Sequence, residues 1–516
     1  GHINVNVSDR ALYEIYLPAF KASVEDGKVW SVMGAYNQFR GQHCCHNDLL
    51  LNKILKQDWK FDGVVLTDWG GAHDTRQAAL NGLDIELGSY TNGLTSEAEF
   101  GYNDYFLADP FLALLRNGEL PVSVVDEKAR RILRLIFRTA MNAERPFGRY
   151  VCADHSATAL RVAEEGIVLL KNRHNLLPVQ PGKYKRIAVI GENATKNLTE
   201  GGGSSELKVK YQVTPLEGLQ KTYGTESIVH AMGYSSGPSV YGRVEEPAED
   251  QQKLFDEAIE VARNAEIVYF VGGLNKNHYQ DCEGGDRQQF GLPFNQEKLI
   301  SEILKVNKNL VLVLVSGNAV AMPWEKELPA IVQTWYLGSE SGNAIANVLS
   351  GRVNPSGKLP FSFPVKLTDN AAHSFGELSY PGDSINQHYK EDILVGYRWH
   401  DTKKIKPLFA FGHGLSYSKY EYGKIAADKK SYAKDEVIKL TFTLKNTGSV
   451  DGAEAVQIYS SQPRASVLRP QKELKAFAKT KELKPGETTV VTLKVNAADL
   501  ASYDEAASAW VVTPGN

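Results

Sequence analysis

The sequence predicts an α/β protein whose last part is all β. Three observations lead to this prediction. Short apolar runs alternate with helical patterns over residues 1–150, and longer β-branched runs alternate with helical patterns over residues 151–400. From residue 419 onward, apolar and polar residues alternate with a period of two. Alternating strands and helices predict two parallel-sheet parts, and the period of two predicts a β-sandwich behind them.

The composition is that of a globular protein, and it argues against several classes of function. The chain has 516 residues, of which 42% are hydrophobic and 23% charged, and this length corresponds to roughly three domains of about 150 residues each. A net charge of −3 gives no electrostatic reason to bind nucleic acid or an anionic membrane. Four cysteines do not make a disulfide scaffold, and no apolar run reaches the roughly 18 residues of a membrane span.

Residues 1–150 predict a series of alternating strands and helices. Three stretches carry apolar residues at helical spacing, and three shorter apolar runs have the length of strands. The predicted helices span 10–24, 48–56 and 124–138, and the predicted strands span 29–36, 63–67 and 83–87. Such a series favours a parallel sheet, whose working groups lie at the carboxyl ends of its strands.

The stretch from Phe61 to Thr75 holds the strongest candidate for chemistry. Asp68 and Trp69 directly follow the strand at 63–67. A carboxylate beside an aromatic ring suits sugar chemistry, because the acid attacks or stabilises the anomeric carbon and the ring stacks on a pyranose. The local pattern alone favours a plainer interpretation, in which Asp68 only caps the next helix, around residues 75–81.

Residues 151–400 predict a doubly wound α/β sandwich. A predicted helix at 157–170 precedes five strand-like runs, and further helices are predicted at 252–264 and 295–307. The runs span 186–191, 227–233, 267–273, 310–317 and 330–338. Residues 401–516 predict a linker and then a β-sandwich of fibronectin type III character.

Several motifs resemble glycoside hydrolase family 3, and they occur in that family's order over nearly the whole chain. They are, among others, SDRALYEIYLPAFK from residue 8, VWSVMGAYNQFRG from residue 29, FDGVVLTDWGG from residue 61, EGGDR from residue 283 and PLFAFGHGLSYSKYEY from residue 407. The resemblance is to the β-glucosidase branch. It implies that residues 1–150 are the C-terminal portion of a TIM barrel, that 151–400 are an α/β sandwich carrying an acid/base loop, and that 401–516 are a linker with a fibronectin type III-like domain.

The resemblance also implies roles for five residues. Asp68 is the expected nucleophile, Glu283 the expected acid/base, and Trp69, Tyr36 and Ser204 are expected to contact the sugar. The implied activity is that of a retaining hydrolase, which releases terminal β-linked glucose from β-glucosides or cello-oligosaccharides by double displacement. From the residues alone, Glu283 could be a solvated loop glutamate, Trp69 a core residue, and residues 201–204 a flexible glycine-rich loop.

The chemistry needs two carboxyl groups with different protonation. A retaining glycosidase holds them about 5–5.5 Å apart, and the acid must have a raised pKa. Asp68 and Glu283 lie in different predicted domains, so only an interdomain cleft could pair them. Asp281 and Asp286 would add negative charge near Glu283, whereas Arg287 would oppose it.

No cofactor and no metal are predicted. His43, Cys44, Cys45 and His46 are metal-like in composition only, because adjacent cysteines cannot easily converge on one ion and no second pair of spaced cysteines exists. A phosphotransferase with an Asp nucleophile would need a second Asp at position 70, which is glycine. The expected partner is a small oligosaccharide or aryl glycoside, without nucleic acid or membrane, and a homodimer is left open.

Two alternatives to a β-glucosidase follow from the start of the chain. The family's sugar-binding Asp, Arg and Lys-His residues precede the SDRALYEIYL-type stretch, and they are not in this sequence. The alternatives are a β-xylosidase of the same family and a noncatalytic carbohydrate-binding remnant. We expect a chain cut at both ends, weak activity of these 516 residues alone, and 1–150 as the least stable region. A periplasmic or secreted location is favoured, while the compartment itself is unknown from the sequence.

Overall fold

The structure, a computed structural model, describes residues 3–88, 102–196, 198–199, 203–205, 207–240, 244–277, 279–285, 287–462 and 467–513. The chain forms two compact units. The first unit comprises Gly1–Gly148, Ala371–Val395 and Ser502–Val511, and the second comprises Arg149–Asn370, Gly396–Ala501 and Val512–Asn516. The chain therefore returns to its first unit twice, which no local sequence pattern predicts.

The first stretch of the first unit alternates helices and short strands. Its first helix is continuous, with a π-helical middle at Leu12–Tyr16, and a second π-helix spans Leu49–Asp58. The other elements are β1 (Asn4–Asn6), α1 (Asp9–Ala11), α2 (Leu17–Glu25), β2 (Ser31–Gly34), β3 (Gln38–Phe39), β4 (Gln42–His43), β5 (Val64–Thr67), α3 (Thr75–Leu80), α4 (Asp109–Arg116) and α5 (Ser123–Arg138). The βα series predicted from the sequence is confirmed.

Strands β2 and β5 are the parallel pair on which the first unit's candidate site is built. They pair in register from Ser31 opposite Val64 to Gly34 opposite Thr67. Val65 is fully buried in an apolar cluster with Leu55 and Leu83, to which the π-helix Leu49–Asp58 and α3 contribute. Apolar β-branched residues buried on both faces form such strands, and this burial fixes where β5 ends.

The strand predicted at 83–87 is reduced to one bridge, between Ile85 and Leu66. The reason is the buried Asp84. Its Oδ2 accepts the Val65 amide at 2.8 Å, and Lys56 donates to both of its carboxylate oxygens at 2.9 Å. A side chain has taken the place of a backbone acceptor beside β5, so the regular ladder does not continue.

The second unit begins with an α/β part. Its elements are α6 (Ala153–Gly166), β6 (Val168–Asn172), β7 (Ile187–Ile190), α7 (Pro215–Tyr223), β8 (Ile228–Ala231), α8 (Gln251–Arg263), β9 (Ile267–Gly273), α9 (Gln296–Val306), β10 (Leu310–Val315), β11 (Ala330–Gln333) and α10 (Ser341–Ser350). The sheet order is β6-β11-β10-β9-β7-β8, and every pair is parallel except β6 with β11.

Helices cover both faces of this six-stranded sheet. One apolar cluster joins alternate strand residues such as Val268 to α8 and α9, and the other joins strand residues such as Tyr269 to α6, α7 and α10. The predicted doubly wound sandwich is confirmed. After β7 the chain adds β8 on one side and then β9 on the other, so the strand order reverses between β7 and β9.

The helix predicted at 157–170 is wrong in its last residues. Helix α6 ends at Gly166, and Ile167 turns to an extended conformation with φ −61° and ψ 134°. The buried run Val168–Asn172 then pairs antiparallel with β11 as an edge strand. Gly166 is a helix-ending residue, and this signal outweighs the continuing apolar run.

The remaining elements are α11 (Ala371–Ser374), β12 (Asn386–His388), α12 (Tyr397–Lys403), β13 (Tyr420–Tyr422), β14 (Ala426–Ala427), β15 (Val437–Asn446), β16 (Ala455–Ser460), β17 (Glu473–Lys479), β18 (Thr488–Asn496), β19 (Ser502–Asp504) and β20 (Ala509–Val511). Strands β13, β14, β15 and β18 form one antiparallel sheet, and β16 and β17 form a second. Leu444, Val456 and Leu493 belong to the apolar cluster that these strands share. The β-sandwich predicted from the period of two is confirmed.

Two late segments belong to the first unit. Strand β12 pairs parallel with β1, and the β19–β20 hairpin stacks Tyr503 on Tyr13 with ring centroids 4.2 Å apart. The amide of Tyr503 also donates to Glu14 at 2.8 Å.

Among the described helices, none combines the length and apolarity that crossing a bilayer requires.

The close contact between α7 and α10 can be tested by its effect on the stability of the second unit. A Cβ at Gly342 would lie 2.0 Å from the Thr214 carbonyl oxygen, a backbone atom that cannot move aside cheaply. Overpacking costs typically about 1–3 kcal/mol. We expect Gly342→Ala to lower the thermal unfolding midpoint clearly, as followed by circular dichroism.

The matched control is Gly166→Ala, because a Cβ there meets open space. Gly166→Ala should change the free energy of unfolding by no more than about 1 kcal/mol, so its unfolding midpoint should move little. Equal midpoints for Gly342→Ala and the unmodified chain would contradict the close helix contact.

Candidate active site

Asp68 is the first residue beyond β5, as the sequence predicts. Its amide donates to the Gly34 carbonyl at 3.3 Å, so the parallel pairing of β2 and β5 extends to it. Its half-buried carboxylate accepts the Trp69 amide at 2.7 Å through Oδ1. The backbone of Asp68 is therefore held by strand register rather than by a loose loop.

The helix-capping interpretation of Asp68 is wrong. The N-cap of α3 is Asp74, whose Oδ1 accepts the Gln77 amide at 2.7 Å. A capping residue must directly precede its helix, and five residues separate Asp68 from Asp74. The Asp68 carboxylate is thus not the N-cap of α3.

Trp69 is not a core residue. Its side chain is 55% exposed. The indole lies against the backbone of Gly88, where a Cβ would approach the ring atom Cε3 to 1.4 Å. Only glycine lets the ring lie this close, so the Cε3 edge of the indole packs against backbone.

Tyr36 lies two residues beyond β2, at the same end of the parallel pair as Asp68. Its carbonyl oxygen accepts from Nδ1 of His43 at 3.0 Å. Nε2 of His43 lies 3.2 Å from the Gln38 amide nitrogen, and its ring stacks on His73 with centroids 3.8 Å apart. With Nδ1 as donor and Nε2 as acceptor, both contacts are satisfied by the neutral imidazole.

Cys45 supports the turn that carries Asp68, a role that the sequence analysis misses. The fully buried thiol donates to the Ala35 carbonyl at 3.4 Å. A Cβ at Gly71 would lie 2.5 Å from its sulfur, and a Cβ at Gly34 would lie 2.8 Å from it. Burial raises the pKa of this thiol to about 12. The sequence signal was present as two glycines flanking the strand end, but it does not say which side chain fills the space beside them.

The His-Cys-Cys-His stretch is used for packing. Nε2 of the buried His46 accepts the His73 amide at 3.2 Å, and burial is the main cause of its lowered pKa. Within the described parts of the chain, no three His, Cys, Asp or Glu side chains are grouped so that they could hold a metal ion.

In the second unit, Glu283 stands at the tip of a two-residue hairpin. Cys282 and Gly285 form an antiparallel bridge, with Glu283 and Gly284 between them. Gly284 has a φ of +78°, which favours glycine at the second turn position. The hairpin follows β9, and ligands of doubly wound sheets bind where the strand order reverses, here beside β7 and β9.

Ser204 contacts Glu283. Its backbone amide donates to Oε2 of the exposed Glu283 carboxylate. The contact comes from the segment that follows β7, so the two strands flanking the reversal each contribute one partner. Gly201 and Gly202, which the sequence analysis groups with Ser204, lie outside the described residues, as does Asp286.

Asp281 and Arg287 bind the segments that follow β10 and β11. Asp281 accepts the Gly317 amide at 2.7 Å and the Tyr336 hydroxyl at 2.8 Å, both through Oδ2. Arg287 donates to the Asn318 side-chain oxygen at 2.7 Å. Both charged residues beside Glu283 therefore have structural contacts, and Asn318 and Tyr336 are further residues that the sequence analysis misses.

The structure thus assembles two groups of candidate residues. Asp68, Trp69 and Tyr36 belong to the first unit, where the ends of β2 and β5 position them. Glu283 and Ser204 belong to the second unit and touch each other. A carboxylate beside an exposed indole, and a carboxylate at a hairpin tip, are groups that can act as nucleophile and as proton donor.

Family models match three stretches of the chain. The glycosyl hydrolase family 3 N-terminal domain matches residues 1–135, and the C-terminal domain of the same family matches residues 167–417. A fibronectin type III-like domain matches residues 454–516. The two family 3 models together include Asp68 and Glu283.

Similar proteins carry β-glucosidase names. The chain is 58% identical to β-glucosidase BoGH3A of Bacteroides ovatus, over all of this chain and 70% of that protein. It is 35% identical to thermostable β-glucosidase B of Acetivibrio thermocellus, over 99% of this chain and 64% of that protein. The crystal structure of DesR, a β-glucosidase from Streptomyces venezuelae in complex with D-glucose, superposes with a TM-score of 0.89 at 28% identity, over 99% of this chain and 76% of that one.

The packing of Cys45 beneath the Asp68 turn predicts a protected thiol. With a pKa of about 12, roughly one Cys45 thiol in 10⁴ is ionised at pH 8, and the thiolate is the reactive form. We expect iodoacetamide to alkylate Cys45 far more slowly than the half-buried Cys152 in the folded chain, as measured by peptide mass spectrometry.

Unfolding in urea supplies the control, because both thiols should then react. Equal rates for Cys45 and Cys152 in the folded chain would show that the Asp68 turn does not pack on Cys45.

Proposed function

The chain belongs to glycosyl hydrolase family 3, and from this premise we propose a retaining β-glucosidase in which Asp68 is the nucleophile and Glu283 the acid/base. The proposed substrates are β-glucosides and cello-oligosaccharides, from which terminal glucose is released. The observation that carries the proposal is the position of Asp68, directly beyond β5 and beside the exposed ring of Trp69. The named relatives are β-glucosidases, which supports glucose over xylose.

The proposed first step forms a glucosyl-enzyme. A carboxylate oxygen of Asp68 attacks the anomeric carbon while the glycosidic C–O bond breaks. Glu283 gives its proton to the departing oxygen, so the leaving group departs as a neutral alcohol. Strand register holds Asp68, and an attacking atom held in place needs less reorganisation to reach the anomeric carbon.

The proposed second step reverses the proton transfer. Glu283, now a carboxylate, takes a proton from water, and the water oxygen attacks the anomeric carbon as its bond to Asp68 breaks. Two inversions give net retention. The Ser204 amide donates to Oε2 of Glu283. A hydrogen bond to one oxygen orients the carboxyl group in both protonation states.

Two aromatic residues are proposed to bind the sugar. The exposed ring of Trp69 packs with its Cε3 edge against the Gly88 backbone and can stack on the apolar face of a pyranose. Tyr36 shares the strand-end edge with Asp68, and its backbone is fixed by His43. Both assignments follow the family motif and agree with these positions.

Replacing the nucleophile provides the direct test. Asp68→Ala should abolish turnover of an aryl β-glucoside, because no carboxylate remains to form the covalent intermediate. Added azide should restore part of the cleavage and yield α-glucosyl azide, since it attacks once and inverts the anomeric carbon. Product chromatography and anomeric NMR measure both results.

The matched control is Asp62→Asn, at the other end of β5. Asp62 is exposed and pairs with Arg138, so its carboxylate is not part of the proposed site. It should leave turnover unchanged. A 2-fluoroglucoside should label the peptide that contains Asp68 in the unmodified enzyme. Turnover by Asp68→Ala at the unmodified rate, or a label elsewhere, would remove the assignment of Asp68, whereas an unmodified chain that shows neither turnover nor label would favour a noncatalytic sugar-binding role.

Removing the proton donor predicts a loss that depends on the leaving group. Glu283→Gln should lower kcat/KM by about 10²–10⁴-fold for cellobiose or an alkyl glucoside, which need protonation to depart. The loss should be far smaller for the first step with 2,4-dinitrophenyl β-glucoside. Steady-state kinetics on both substrates measure the difference.

Glu302→Gln is the control, because Glu302 is a surface residue of α9 that pairs with Lys305. Its kcat/KM should match that of the unmodified enzyme on both substrates. A Glu283→Gln variant with equal losses on good and poor leaving groups would show that Glu283 shapes the hairpin without donating a proton.

A further inference from the structure

The Glu283 hairpin is held at its base, in addition to the Ser204 contact at its tip. Glu283 and Gly284 form the turn, and the residues that fix the hairpin to the domain are its flanking residues Asp281 and Arg287. A carboxyl group at such a tip takes its position from whatever anchors the two flanks. The hydrogen-bond partners of Asp281 and Arg287 lie in the segments that follow β10 and β11.

Asp281 is the anchor on the N-terminal flank. Its Oδ2 accepts the Gly317 amide at 2.7 Å and the Tyr336 hydroxyl at 2.8 Å, and its Oδ1 accepts the Asn318 side-chain amide at 3.2 Å. Three donors satisfy one carboxylate. Hydrogen bonds to a charged acceptor are stronger and shorter than neutral ones, so this flank is firmly bound.

Arg287 is the anchor on the C-terminal flank. Its guanidinium donates to Oδ1 of Asn318 at 2.7 Å and to the Ala319 carbonyl at 3.0 Å. Asn318 therefore binds both flanks of the hairpin. The Ser316 hydroxyl donates to the Asn318 carbonyl at 2.8 Å, which ties the backbone of Asn318 to the end of β10.

We propose that Asn318 is a positioning residue for Glu283. It holds the two flanks of the hairpin together at the carboxyl end of β10. The proposal rests on the acid/base role proposed for Glu283. Through its flanks, Asn318 sets where the proton donor stands relative to the departing oxygen, without touching the substrate.

The chemistry of the amide explains why asparagine suits this position. Its NH₂ group donates to the carboxylate of Asp281 while its oxygen accepts from the guanidinium of Arg287. Aspartate would keep the acceptor but place a second negative charge beside Asp281, and alanine would lose both contacts. If the amide were flipped, its NH₂ group would face the Arg287 guanidinium and its oxygen would face the Asp281 carboxylate. The two partners therefore also fix the orientation of the amide.

The kinetic test compares Asn318→Ala with Asn309→Ala. Asn309 precedes β10 as Asn318 follows it, and its side chain donates to the Glu266 carbonyl at 3.0 Å, away from the hairpin flanks. A misplacement of about 1 Å can cost on the order of 10²-fold. We expect Asn318→Ala to lower kcat/KM about 10- to 100-fold for cellobiose and less than about threefold for 2,4-dinitrophenyl β-glucoside, with Asn309→Ala unchanged on both.

A double-mutant cycle separates positioning from general destabilisation. In a Glu283→Gln background no proton donor remains to be positioned, so adding Asn318→Ala should cost little more on cellobiose. Equal losses on both substrates, or a loss that multiplies in the Glu283→Gln background, would overturn the proposal. The single Glu283→Gln variant tests the acid/base role by itself, so the two proposals fail in different measurements.

Hydrogen–deuterium exchange tests, without turnover, whether the contacts of Asn318 with Asp281 and Arg287 hold the hairpin in the 516-residue chain. Peptides that span residues 279–290 should exchange faster in Asn318→Ala and also, by a smaller increment, in Tyr336→Phe, which removes only one bond to Asp281. Asn309→Ala should leave them unchanged. Unaltered exchange of these peptides in Asn318→Ala would overturn the proposal whatever the kinetics show.

Discussion

The end of a parallel strand is the constraint on which both candidate groups depend. Inside a parallel sheet, neighbouring strands use the backbone polar groups, and a side chain becomes available for chemistry only where the strand stops. In the first unit, the buried register of β2 and β5 decides that the next residue is Asp68. In the second unit, the strand order reverses between β7 and β9, so the segments that follow these two strands lie side by side. Ser204, from the segment after β7, contacts Glu283, from the segment after β9.

Much of this fold could be predicted from residue patterns, for physical reasons that differ between its parts. Apolar runs buried on both faces identify β7, β9 and β10, and the period of two identifies β15 and β18, because burial imposes those patterns directly. Prediction failed where a side chain or an ending signal replaced a regular element. Asp84 interrupts the strand predicted at 83–87, and Gly166 ends the helix predicted at 157–170.

Only the residues of the candidate site that lie in short sequence motifs could be predicted. Asp68 and Glu283 lie in short, specific motifs, and the structure places them at a strand end and a hairpin tip. Their supporting residues could not be found in that way. Asn318 contacts Asp281 across 37 positions and Arg287 across 31, and its own neighbourhood in the sequence has no catalytic signature. Contacts between separate loops depend on the assembled sheet, whereas sequence patterns report local periodicity.

The two carboxylates are held in different ways, and the difference matches the work proposed for each. Asp68 has a backbone fixed by strand pairing and a turn packed on Cys45, which suits an atom that must form and break one bond at a fixed place. Glu283 is proposed to be an acid in one step and a base in the next, so its position has to be kept in both protonation states. The hairpin has charged contacts at Asp281 and Arg287, on either side of the turn. The flanks supply position, and the tip keeps a carboxyl group that can serve in both steps.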